Sequence, residues 1–96
     1  MTEGIAILKL PPTLDPRAAQ PLLDSLLALR TGPVEVDASA VERAGTPCLQ
    51  VLLAAAAAWK SDGMAFRIAA PSPEFAEAVS LLGLTLEQLP REQPAT

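Results

Sequence analysis

The chain has no histidine, no tyrosine and a single cysteine, Cys48. Histidine acid/base catalysis, Ser-His or Cys-His nucleophile pairs and His/Cys zinc sites are therefore excluded within one chain. A lone cysteine cannot close an internal disulfide, which fits a reducing compartment. Charge is sparse as well: 19% of residues are charged, seven basic against eleven acidic, for a formal net charge of -4. That balance lacks the basic footprint that nucleic-acid binding needs, so neither DNA nor RNA is an expected partner. Long apolar runs are missing too. The longest, residues 51–59, falls far short of the roughly 18–20 residues that span a bilayer. Met1, Thr2, Glu3 and Gly4 form no basic stretch ahead of a long apolar one, so no signal peptide is expected. Neither GxGxxG nor GxxxxGK(S/T) occurs, which leaves nucleotide binding without a motif. These absences lead to the expectation of a small cytoplasmic domain.

What is present is a single core's worth of apolar residues, 50% of a 96-residue chain, punctuated by ten prolines and five glycines. Residues 5–10 are apolar and partly β-branched and stop at Pro11 and Pro12, which predicts a strand. Asp15 before Pro16 marks a helix start, and leucines at 22, 23, 26, 27 and 29 recur at helical spacing until Gly32 and Pro33. A helix is expected over 16–30, with Pro21 either kinking it early or marking a start nearer Gln20. Residues 34–38 predict a second strand. Thr46 and Pro47 open a second helix, predicted over 48–61, which contains five consecutive alanines and ends at Gly63. A third strand is expected over 64–70. A third helix opens at Ser72 and Pro73, places Phe75, Val79 and Leu82 on one face and stops at Gly83. Residues 84–89 read as a short strand or turn, and the tail, 90–96, as polar and flexible. Strand–helix alternation of this kind argues for a sheet covered by helices.

Few residues carry chemistry. Asp37, Glu42 and Arg43 fall near the end of the second strand, where open α/β sheets place their sites, but a solvated loop explains them as well. Cys48 sits in the first turn of a helix, a place that can activate a thiol; a small packing residue is the plainer reading. The Thr46 hydroxyl is expected at the helix N-cap, either as a plain cap or as a place where added phosphate would meet free N–H groups. One face of that helix, Leu49, Leu52, Ala56 and Trp59, is suited to packing on the sheet. The opposite side carries Gln50, Ala54, Ala57 and Ser61, small residues where charges normally sit.

The segment Val36-Asp37-Ala38-Ser39-Ala40-Val41 and, two residues on, Ala44-Gly45-Thr46-Pro47-Cys48-Leu49-Gln50-Val51-Leu52 resembles the central part of STAS domains. These are the domains of anti-sigma factor antagonists and of sulfate-transporter tails. The likeness extends from Ile5 to about Leu89, with Leu14-Asp15 before the first helix and Leu81-Leu82-Gly83-Leu84 near the end. It implies an α/β fold, a mixed sheet of four to five strands with helices mainly on one face, over a single domain of residues 1–89. It also implies a non-enzymatic module that binds a protein partner, a histidine kinase or anti-sigma-like kinase, through the start of the second helix. The family's phosphoacceptor serine maps onto Thr46, its aspartate onto Gly45, the next small residue onto Pro47 and its glycine onto Cys48. The carboxylate that normally marks the site is thus absent, and Thr46 is expected to act mainly as a cap.

The wording from Asp37 to Trp59 looks most like the small free-standing STAS proteins of alphaproteobacterial chemotaxis gene clusters. That likeness implies docking on the chemotaxis histidine kinase. The alternative is a STAS subunit of a lipid-transport ABC complex that binds the ATPase. Under either reading the partner-binding residues are Arg43, Gly45, Thr46, Pro47, Gln50, Ala54 and Ala57. Neither reading implies a catalytic residue, a cofactor or a metal, and neither implies insertion into a membrane.

Overall fold

A computed structural model describes residues 5–81. In chain order the elements are β1 (Ala6–Lys9), β2 (Thr13–Leu14), a 3-10 turn (Pro16–Ala18), α1 (Ala19–Ala28), β3 (Val34–Asp37), β4 (Arg43–Ala44), α2 (Thr46–Ser61), β5 (Phe66–Ala69) and α3 (Pro73–Leu81). β1, β3 and β5 form a parallel sheet in the order β1-β3-β5, and β2 pairs with β4, also in parallel. The expected α/β architecture is therefore present, with its five strands divided three and two. Every pairing among the described residues is parallel, so the expected mixed character is not found there. The expected Gly83 helix stop, the element at 84–89 and the tail at 90–96 lie outside the described residues.

Register fixes which side chains share a face. Ala6 stands beside Val34 and Val34 beside Phe66, and Leu8 beside Val36 and Val36 beside Ile68. These rows point into the core, with Val34, Val36 and Ile68 fully buried. Leu22 and Leu26 of α1, Leu49, Leu52, Ala56 and Trp59 of α2, and Phe75 and Val79 of α3 complete the same cluster. The alternate residues, Ile7, Lys9, Glu35, Asp37 and Arg67, lie exposed or half-buried on the other side. Arg67 and Glu35, register neighbours there, pair at 3.3 Å. The three helices thus cover one face, as expected for a sheet whose strands alternate in and out.

The caps explain where the helices begin. Asp15 is extended, and its Oδ1 accepts the Ala18 N–H at 3.2 Å, which starts the 3-10 turn rather than α1 itself. α1 then begins at Ala19, so Pro21 falls in the first α-turn, where its missing N–H is no loss. That resolves the Pro21 ambiguity in favour of the later start. Ser72 caps α3: its Oγ accepts the Phe75 N–H at 3.0 Å. Gly63 ends the turn after α2 with φ +72°, the left-handed conformation that suits glycine. β2 and β4 have no counterpart in the strands expected from the sequence, because two-residue strands carry no periodicity. They are made by backbone bonds: Glu42 N–H and Arg43 N–H donate to Pro12 O at 2.7 and 3.1 Å, and Gly45 N–H to Leu14 O at 2.9 Å.

Trp59 joins the layers. It is 1% exposed, its ring lies 5.6 Å from that of Phe66 on β5, and its Nε1–H donates to Gly32 O at 2.9 Å in the turn between α1 and β3. Trp59→Phe deletes that donor and leaves space beside Phe66. A loss of about 2 kcal/mol in unfolding free energy is expected, measured by far-UV circular dichroism in urea. A loss below about 0.5 kcal/mol would show that the indole contributes little.

Candidate docking surface

The site begins at the β4–α2 junction. Gly45 is extended (φ −91°, ψ 164°) and its carbonyl accepts the Leu49 N–H at 3.2 Å, so Gly45 is the N-cap. Thr46 is the first helical residue, exposed, and no side chain caps α2. The sequence expectation of Thr46 as the cap is therefore corrected by one position. The cause is backbone pairing: the Gly45 N–H is held by Leu14 O, which keeps residue 45 extended and starts the helix after it. The same closeness bears on the missing aspartate. A Cβ at residue 45 would stand 3.3 Å from Leu14 O, tighter than most real contacts.

Cys48 is buried and its Sγ donates to Asp15 O at 3.4 Å. Burial first, and then the Asp15 charge, push its thiol above the usual range. The packing reading of Cys48 stands and the activated-thiol reading does not. Asp37 accepts the Ser39 N–H at 2.9 Å, and the Ser39 hydrogen bonds hold its carboxyl below the usual range. It closes an Asx turn. Glu42 and Arg43 are exposed on the loop and strand that follow, and no group of acidic or cysteine side chains among the described residues could hold a metal ion.

A larger concavity than the cleft at this junction lies elsewhere on the same helix. A groove of about 490 Å³ runs between α1 and α2, lined on one wall by Leu23, Leu26 and Leu27 and on the other by Gln50, Val51 and Ala54. Pro47 lies on its lining near the helix start, and Ala57 is exposed. Leu23 is 39% and Leu27 55% exposed. Arg30 lines the groove beyond the end of α1 and is tied to Asp62, beyond the end of α2, with Nε–Oδ2 at 2.8 Å and Nη2–Oδ1 at 3.3 Å. This two-point pair bridges the ends of the two helices. It raises the Arg30 guanidinium's pKa and lowers that of the Asp62 carboxyl, in each case chiefly through the shared hydrogen bond.

Of the residues singled out in the sequence, Pro47, Gln50 and Ala54 line this groove. Gly45 and Thr46 instead line a shallow cleft of about 250 Å³ with Ala44, Leu49, Ala78 and Leu81. Arg43 and Ala57 line neither. What the sequence reading missed is α1. Its leucines form two stripes, 22 with 26 and 23 with 27, about 100° apart on the helix. Only the first is buried, so the doubled stripe was itself the signal of a second apolar face.

The family described as "Mlab, STAS domain" matches residues 2–89. The chain belongs to the STAS family, whose domains are in general non-enzymatic protein-interaction modules. No curated protein matches it. No helix among the described residues is long and apolar enough to cross a membrane.

Two outcomes test this chemistry. Iodoacetamide at pH 8 is expected to leave Cys48 unmodified in the folded chain and to label it fully in denaturant, read by intact mass; rapid native labelling would contradict the burial. Asp62 and Asp37 have lowered folded pKa values, so their stabilisation is present above the ordinary aspartate range near pH 4 and is lost as pH falls through the folded values. The urea midpoint is expected to drop on acidification below about pH 4, and less steeply in Arg30→Gln. An identical slope in the variant would mean that the pair carries none of the dependence.

Proposed function

We propose that this protein is a regulatory docking module that works without catalysis in the cytoplasm. Its partner is a signalling kinase of the histidine-kinase or anti-sigma type, and chemotaxis is the setting. Membership of an interaction family supports the reading. The observation that carries it is the charge-poor outer surface of two adjacent helices, on which Lys60 is the one charged residue of α2. Ten-residue α1 has Asp24 as its one charged residue, and Gln50, Ala54, Ala57 and Ser61 are exposed along α2. Solvent faces of surface helices normally carry charge, and interface cores are depleted of it. Alanine also loses no side-chain entropy on binding. The partner contacts span Arg43, Gly45, Thr46, Pro47, Gln50, Ala54 and Ala57, extended by Leu23 and Leu27 of α1. Thr46 serves as the first residue of the helix and is not modified.

Capture from the native host with the tagged chain, followed by mass spectrometry, tests the reading when four baits are compared: wild type and three variants. Ala54→Arg and Ala57→Arg should melt within a few degrees of wild type, because arginine is a good helix former on an exposed face. Both should lose a kinase that wild type and Lys9→Ala, changed on the opposite sheet face, retain. The expected weakening is about 100-fold, equivalent to roughly 3 kcal/mol, if the contact is central. Equal retention by all baits would show that this face is not the interface. Capture of an ATPase subunit in place of a kinase would move the protein to a transport complex. A gain of one phosphate on Thr46 after incubation with the captured kinase would overturn the account of Thr46.

A further inference from the structure

We propose that Ser72 is a positioning residue that sets the start of α2 from α3, so that α3 and the docking rim move as one unit. The Ser72 hydroxyl is not only a cap. It donates to Val41 O at 2.6 Å, outside its own helix, while accepting the Phe75 N–H at 3.0 Å, and the residue is 7% exposed. Its backbone N–H donates to Ala38 O at 3.2 Å. Two bonds from one residue therefore hold both ends of the turn at 38–41, which leads into β4.

From Val41 the connection is continuous. Glu42 and Arg43 N–H groups bond Pro12 O, Gly45 N–H bonds Leu14 O, and Gly45 O accepts the first bond of α2. Thr46 and Leu49 then share a cleft with Ala78 and Leu81 of α3. A second observation marks the same place as strained. Ala70, two residues before Ser72, has φ +48°, a left-handed conformation unfavourable for a residue with a Cβ. Strain of this kind persists only where neighbouring bonds over-determine the backbone, and the Ser72 bonds supply that hold. A ligand or partner that displaced α3 would release Val41, then β4, then the cap of α2. The coupling stands on these bonds alone, whether or not a kinase is what docks.

Native-state amide hydrogen exchange in increasing denaturant tests this on the wild-type chain. The Glu42, Arg43 and Gly45 amides are expected to open with the same free energy and denaturant dependence as Phe75 and Ala76, as one cooperative unit. Opening of the two groups with different values would overturn the proposal. Ser72→Ala adds a local readout. It should lower protection at Glu42, Arg43 and Gly45 about tenfold more than at Val36 and Ile68, since the Val41 carbonyl is left buried without its donor. Ser72→Thr, which keeps the hydroxyl, should restore it. Uniform loss of protection in Ser72→Ala would reduce Ser72 to a simple cap and refute the coupling. If Ser72→Ala fails to fold, the wild-type exchange pattern still decides.

Discussion

One buried tryptophan holds three segments of the chain together. Trp59 closes α2 onto β5 through Phe66 and onto the α1–β3 turn through Gly32 O. With that end fixed, α2 has no freedom to roll: Leu49, Leu52 and Ala56 must face the sheet, and Gln50, Ala54, Ala57 and Ser61 must face outward. Arg30 and Asp62 pin the same end from outside. An exposed pair of this kind contributes little stability, but its two-point geometry bears on how far apart the ends of α1 and α2 can stand. The width of the groove between the helices is a consequence of these two contacts.

The sheet supplies the complementary constraint. Its strands alternate, so only one face is apolar and all three helices gather there. Among the described residues that sheet has three strands, and α1, α2 and α3 all pack on its apolar face. α1 and α2 meet edge to edge with Leu23 and Leu27 left at the surface. An apolar surface of this kind, with the Arg30–Asp62 pair at one end, is a form that suits protein docking.

Much of this was legible in the sequence. The three long strands, the three helices and the two faces of α2 followed from apolar periodicity, from proline and glycine stops, and from Asp15, Ser72 and Gly63 as helix punctuation. The N-cap of α2 lies one residue before the expected Thr46 because what fixes it, Leu14 O on the Gly45 N–H, is a backbone contact between residues 31 apart in the chain. β2 and β4 were invisible for the same reason. The groove was half legible: α2 showed its small-residue side, whereas the second leucine stripe of α1 was absorbed into an undivided helical pattern. The role of Ser72 beyond capping rests on a bond to Val41 O that no local spacing encodes.

The most direct measurement is an amide chemical-shift map of the isotopically labelled chain titrated with the captured partner. The account predicts perturbations concentrated on Leu23, Leu27, Gln50, Ala54 and Ala57, with Ile7, Lys9, Glu35 and Arg67 on the opposite face unmoved. Perturbations centred on that open face of the sheet, with the α1–α2 groove silent, would contradict it.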